Sequence, residues 1–114
     1  MFAFVVAGTL VALVLYSLSG KQLVTAAEAK KLLGSVKVVD VRTPTEYRMG
    51  HYPGAVNIPV TAISRRTTQG LPKRGILVYC NTGQRARFAA EKLASLGFQD
   101  VVYIDGSYRT LIGV

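Results

Sequence analysis

The sequence predicts an α/β domain: an open, mainly parallel sheet flanked by helices and preceded by one N-terminal hydrophobic helix. Three observations carry that prediction. Between residues 26 and 106, strand-like apolar runs alternate with short helical patterns, which argues right-handed crossovers between parallel strands. The run GILVYC, residues 75–80, is nearly continuously apolar between a glycine and a polar loop, as expected of a central strand covered on both faces. Ahead of all this, Phe2–Leu18 carries no charge at all.

In that first segment, FAFVVAGTLVALVLYSL, only Gly8, Thr9 and Ser17 are not hydrophobic. As a helix it reaches about 26 Å, near the lower limit for a single span. Residues 1–20 therefore read as a transmembrane anchor and residues 21–114 as the domain it carries. A secretory signal is the rival reading. It would normally open with Lys or Arg and have a shorter apolar region, whereas the first basic side chain here is Lys21, although Ser17-Leu18-Ser19 offers a poor cleavage site. A buried core helix fits less well, because no face of the segment is polar enough to meet water. Lys21, Lys30, Lys31 and Lys37 all follow the apolar run, so the positive-inside rule keeps the domain cytoplasmic; cleavage would instead export it.

Thr25 and Glu28 in TAAEAKKLLG form a capping-box pattern with Gly34 as the stop, so residues 26–33 read as a helix. VKVVDV is a strand ending near Asp40. TPTEYRMG has proline in a first turn and closes on Gly50, giving a second short helix. GAVNIPV and GILVYC follow as strands. From Gln84 to Leu96, Ala89, Leu93 and Leu96 share one apolar helical face, with Gly97 as the stop, and DVVYIDG supplies the last strand. Sites in such sheets form at the carboxyl ends of the strands, where Asp40, Cys80 and Asp105 all fall.

The chain has 114 residues, half of them hydrophobic, enough for one core and too few for two. Its net charge of +8 belongs wholly to residues 21–114, which suits small anions or an anionic surface. Nucleic acid is disfavoured: the basic residues are scattered as pairs (Lys30-Lys31, Arg65-Arg66, Lys73-Arg74) with no aromatic platforms between them. A single cysteine excludes an internal disulfide and any multi-cysteine zinc site, and a single histidine, His51, has no second histidine with which to share a metal.

Cys80 ends the buried strand, and Asn81-Thr82-Gly83-Gln84-Arg85 leads directly into a helix. Its sulfur should therefore face the loop's N–H groups and the positive end of the helix dipole, both of which favour a thiolate. Gly83 permits a positive φ, Thr82 offers a hydroxyl, and Arg85 should bring a permanent charge back towards the sulfur. The competing reading is a buried cysteine that merely packs. The turn glycine, helix start and arginine together favour an anion cradle centred on Cys80.

At this point the residues resemble a family. CNTGQRA is similar to the active-site loop of single-domain rhodaneses, C-x-x-G-x-R-[SA], and DVRTPTEYRMGHYPGAVNIP matches their upstream signature almost position for position. The resemblance covers roughly residues 22–112. It implies a rhodanese-like fold and a sulfurtransferase without a cofactor. Cys80 would take a sulfane sulfur from a small anionic donor such as thiosulfate, hold it as a persulfide cradled by the amides of Asn81 to Arg85, and pass it to a thiol, cyanide or protein acceptor. Relatives that handle phosphate or arsenate have a loop one residue longer than the six from Cys80 to Arg85.

Asp40, Arg42 and Glu46 are expected to form an ion-pair cluster that fixes the first strand end and lines the pocket, in a supporting role. His51, in a GHYPG turn, is expected to make a structural hydrogen bond. At the C-terminus, DGSYRTLIGV departs from the family in having Ser107 and no tryptophan. Two alternatives stand beside the enzyme: a non-catalytic rhodanese-like interaction module at the membrane, against which intact Cys80 and Arg85 argue, and a phosphatase or arsenate reductase on the same fold, against which the loop length argues.

Overall fold

The computed structural model describes residues 21–112. The expected anchor, residues 1–20, lies outside them. Among the described residues no helix is long and apolar enough to cross a membrane.

In chain order the elements are β1 (Lys21–Val24), α1 (Ala26–Leu32), β2 (Lys37–Asp40), α2 (Pro44–Met49), β3 (Val56–Asn57), a 3-10 turn (Val60–Ala62), β4 (Arg74–Tyr79), α3 (Gln84–Ser95), β5 (Gln99–Ile104) and a second 3-10 turn (Tyr108–Leu111). The strands make one five-stranded sheet in the order β1-β5-β4-β2-β3. Every pairing is parallel, so the sheet is wholly rather than mainly parallel.

The side-chain alternation of β4 sorts the core into two layers. Ile76, Val78 and Cys80 point to the face covered by α3, where Ala86, Ala89, Ala90 and Leu93 pack with Val39, Val41 and Val101. Leu77 and Tyr79 point to the opposite face, with Val38, Val102, Ala29 of α1 and Leu111. Three alanines on α3 let that helix lie close over the sheet, and so bring its first turn near the end of β4.

Local sequence sets the helix ends. Thr25 accepts the Glu28 N–H while Glu28 accepts the Thr25 N–H, completing the expected capping box. Gly34 does not provide a left-handed stop; α1 instead ends in a turn closed by the Ser35 N–H on the Leu32 carbonyl at 2.8 Å. α2 has a second capping box, Thr43 with Glu46, and its Pro44 sits where no N–H is needed. β1 was not expected from the sequence; it pairs along β5 from Lys21↔Val101 to Val24↔Ile104.

Candidate active site

β2, β4 and β5 end together, and the residues just past them build the site. Asp40 closes β2, Cys80 follows β4 and Asp105 follows β5. From Cys80 the chain turns through Gly83, which has φ +95°, and enters α3 at Gln84. Glycine is required there twice over. L side chains avoid that conformation, and a Cβ would lie 2.5 Å from Asp105 Oδ1 and 2.9 Å from its Cα.

The Cys80 Sγ is buried and accepts two backbone N–H groups, from Gly83 at 3.1 Å and from Ala86 at 3.3 Å. Both belong to the turn that opens α3, so the sulfur lies at the positive end of a 12-residue helix. Ala86 was not among the residues singled out from the sequence, because a backbone donor leaves no side-chain signature. Thr82 and Gln84 are exposed, on the flank of the loop that faces Tyr103 and Asp105.

Arg85 does not reach back as a lone charge. Its guanidinium forks onto Glu46, Nη1 to Oε1 at 2.8 Å and Nη2 to Oε2 at 3.1 Å. Asn81 Nδ2 donates to the same carboxylate at 2.9 Å. Glu46 therefore belongs to the cysteine loop rather than to the expected cluster with Asp40 and Arg42, and one side chain both caps α2 and clamps the loop at its two ends. The hydrogen bonds from Arg85, followed by the Thr43 N–H, lower the Glu46 pKa from the ordinary 4.5 to about 2. The Glu46 hydrogen bonds in turn raise Arg85, against the opposing pull of burial, and negative charge at Cys80 acts in the same direction as Glu46.

Asp40 and Arg42 do pair, with different company. Arg42 Nη2 is 2.7 Å from Asp40 Oδ2 and donates to the Gly50 carbonyl at 2.5 Å. Tyr79, aligned with Asp40 across β2 and β4, donates its hydroxyl to Asp40 Oδ2 at 2.5 Å and accepts the Tyr52 N–H at 3.0 Å. Burial first, then the hydrogen bond to Asp40, pushes the Tyr79 hydroxyl well above its usual range, so it stays a donor. Burial pulls Arg42 down, and the hydrogen bonds and charge of Asp40 outweigh it. Among the described residues no buried side-chain nitrogen or oxygen lacks a partner. His51 stacks on the Tyr47 ring at 3.6 Å between centroids, with Nδ1 2.8 Å from the Tyr47 carbonyl.

A cleft of about 380 Å³ opens beside this network. It is lined by Arg42, Glu46, Met49, Gly50 and Asn81 together with Ser107, Tyr108 and Arg109 of the C-terminal segment. The segment that departs from the family pattern thus supplies a cleft wall of its own. Tyr108 approaches Gly50 so closely that a Cβ there would collide with its hydroxyl.

Residues 25–111 match the Rhodanese-like domain family. The chain belongs to that family. Among rhodanese-like relatives, the thiosulfate sulfurtransferase GlpE of Shewanella oneidensis is 35% identical over 91 residues, 80% of this chain and 86% of its own length. The thiosulfate sulfurtransferase PspE of Escherichia coli is 35% identical over 65 residues, 55% of this chain and 62% of its own. The putative sulfur carrier protein YrkF of Bacillus subtilis is matched over 43% of its length at 30% identity. The chain thus spans less than two thirds of the latter two. Among solved structures, the human single-domain sulfurtransferase TSTD1 superposes with a TM-score of 0.65 at 29% identity, covering 77% of this chain and 92% of that one.

Proposed function

We propose that this rhodanese-like protein is a sulfurtransferase that works through a Cys80 persulfide. The observation that carries the reading is the buried Sγ held by the Gly83 and Ala86 N–H groups at the start of α3. Those donors are fixed before any reaction, so negative charge on sulfur is stabilised without reorganisation. In the first half-reaction the Cys80 thiolate attacks the outer sulfur of thiosulfate. A bond forms between Sγ and that sulfur, the donor's S–S bond breaks, and sulfite leaves with the electron pair. In the second, a thiol, cyanide or protein acceptor takes the outer sulfur and Sγ leaves as thiolate, which closes a two-step cycle. Asn81, Arg85 and Glu46 hold the loop in this shape, and the names of relatives such as GlpE support the same class of reaction.

Intact-mass measurement after incubation with thiosulfate tests this directly. The wild-type protein should gain one sulfur atom, removable by dithiothreitol or cyanide, and Cys80→Ser should gain none. Folded wild-type protein that takes up no reducible sulfur would overturn the reading. The charge-free run Phe2–Leu18 and the lysines after it support placing this activity on the cytoplasmic face of a membrane.

A further inference from the structure

We infer that the edge of the sheet opposite the site docks on an anionic lipid surface, so that Cys80 is carried on the side facing away from the membrane; this rests on the membrane placement proposed above. The geometry begins with strand direction. Every pairing is parallel, so all strands start on one edge of the sheet and end on the other. α1 leaves the end of β1 and leads to the start of β2, and α3 leaves the end of β4 and leads to the start of β5, so both helices finish on the starting edge.

All six lysines of the chain fall on that starting edge. Lys21 and Lys37 open β1 and β2, Lys73 directly precedes β4, Lys30 and Lys31 lie in the last turn of α1, and Lys92 lies in the last turn of α3. A helix dipole by itself accounts for lysine at a helix end, but not for lysine at three strand starts. Lys30, Lys31, Lys73 and Lys92 are exposed. The acids are distributed the other way. Asp40, Glu46 and Asp105 stand at the strand ends or just beyond them, and Glu28 is in the first turn of α1. The two acids nearer the lysines each form an ion pair with an arginine, Asp100 with Arg74 at 3.0 Å and Glu91 with Arg87 at 3.6 Å.

Charge selects an anionic partner, and chain connectivity selects lipid. Only Ser19 and Gly20 separate the charge-free run Phe2–Leu18 from Lys21, a link that spans at most about 7 Å. The apolar run therefore joins the domain on the lysine edge. This arrangement gives the site distance. β4 has six residues and, at about 3.3 Å each, sets the Cys80 loop about 20 Å from that edge. The potential of an anionic leaflet falls off within a Debye length, about 8 Å at physiological salt. A dianion such as thiosulfate, depleted about tenfold at the headgroups, thus reaches the site at close to its bulk concentration.

The test uses the full-length protein in nanodiscs of phosphatidylcholine, with or without phosphatidylglycerol. Lysine acylation by a water-soluble reagent is mapped by peptide mass, and sulfur loading from thiosulfate is followed by intact mass. With phosphatidylglycerol the lysines should react about threefold more slowly, because the anionic surface keeps them protonated, and added salt should remove the difference. The position altered by Arg109→Lys, on the site edge, should react equally in both lipids, and thiosulfate loading should be equally fast. Lys30→Gln combined with Lys31→Gln should lessen the protection of Lys37 and Lys73, since fewer charges hold the edge down. Equal acylation in the two lipids, or protection that the double variant leaves unchanged, would overturn the inference. Loading slowed about tenfold by phosphatidylglycerol, with the Arg109→Lys position protected, would turn the site towards the lipid and overturn it too. Protection by a DNA duplex but not by phosphatidylglycerol would assign the edge to nucleic acid instead. Protein that enters neither disc removes the membrane placement and this inference with it, whereas protected lysines on a protein whose Cys80 takes up no sulfur remove the sulfurtransferase reading alone.

Discussion

At the scale of single residues, Gly83 and Glu46 shape the cysteine loop. Gly83 gives one of the two N–H donors and lies against Asp105 in a conformation that only glycine adopts without cost. Gly83→Ala should therefore lower stability by at least about 1 to 3 kcal/mol and slow persulfide loading, because the loop must move away from Asp105 to admit the methyl group. Urea unfolding and the rate of sulfur uptake measure the two effects; a variant with wild-type values for both would show that the loop does not depend on this turn. Glu46 gives a pH signature. Its pKa falls from 4.5 to about 2 on folding, so the unfolded chain binds the proton more readily. The stability it contributes is complete above about pH 4.5 and is lost as the pH falls towards 2. The gap in urea midpoint between wild type and Glu46→Gln should be wide near pH 6 and narrow near pH 3. A constant gap would mean that the fork with Arg85 contributes no linkage.

At the scale of elements, β4 has two jobs on its two faces, and the sequence reveals one of them. The apolar run and the Cys80 loop are legible because hydrophobicity, and a cysteine, glycine and arginine in set order, are local signals that need no distant partner. The role of Tyr79 is not legible: in GILVYC it reads as one more core residue, and its hydroxyl meets groups 39 and 27 positions away. β1 escapes for the opposite reason. It is an edge strand whose Leu23 is half exposed, so KQLV shows no burial pattern. The link between Glu46 and Arg85 also crosses 39 residues, although Thr43-x-x-Glu46 repeats the capping spacing already visible at Thr25-x-x-Glu28. Tyr79→Phe tests how much the hidden face matters. It removes one hydroxyl but leaves the Asp40 carboxylate and the Tyr52 N–H each short of a partner, so it should cost about 1 to 3 kcal/mol in chemical denaturation, more than loss of an exposed hydroxyl. A loss of a few tenths would show that water replaces the hydroxyl.

At the scale of the whole molecule, the fold and the family were legible from two signature stretches, and residues 25–111 carry both. The placement of the domain rests on a separate segment. Full-length protein should sediment with membranes and resist alkaline carbonate, while a chain starting near Lys21 should remain in the supernatant. N-terminal sequencing that finds a mature chain beginning near residue 20 would replace the anchor with a cleaved export signal and put the domain across the membrane.

The opposite aim of Tyr79 and Cys80, neighbours on one strand, also bears on how copies of this chain can fail. If β4 slid by one position against β2 so that Cys80 faced Asp40, Tyr79 would take the place of Val78 towards the alanines of α3, so a charged group would lose its donor just as a phenol was forced into space made for a valine. The misaligned form is penalised on both sides of the sheet at once, with no intermediate arrangement that satisfies either. Folding errors in this strand should thus be sorted out by degradation rather than persist as intact but inert molecules, and a thiol titration of purified protein should count nearly as many competent sites as chains.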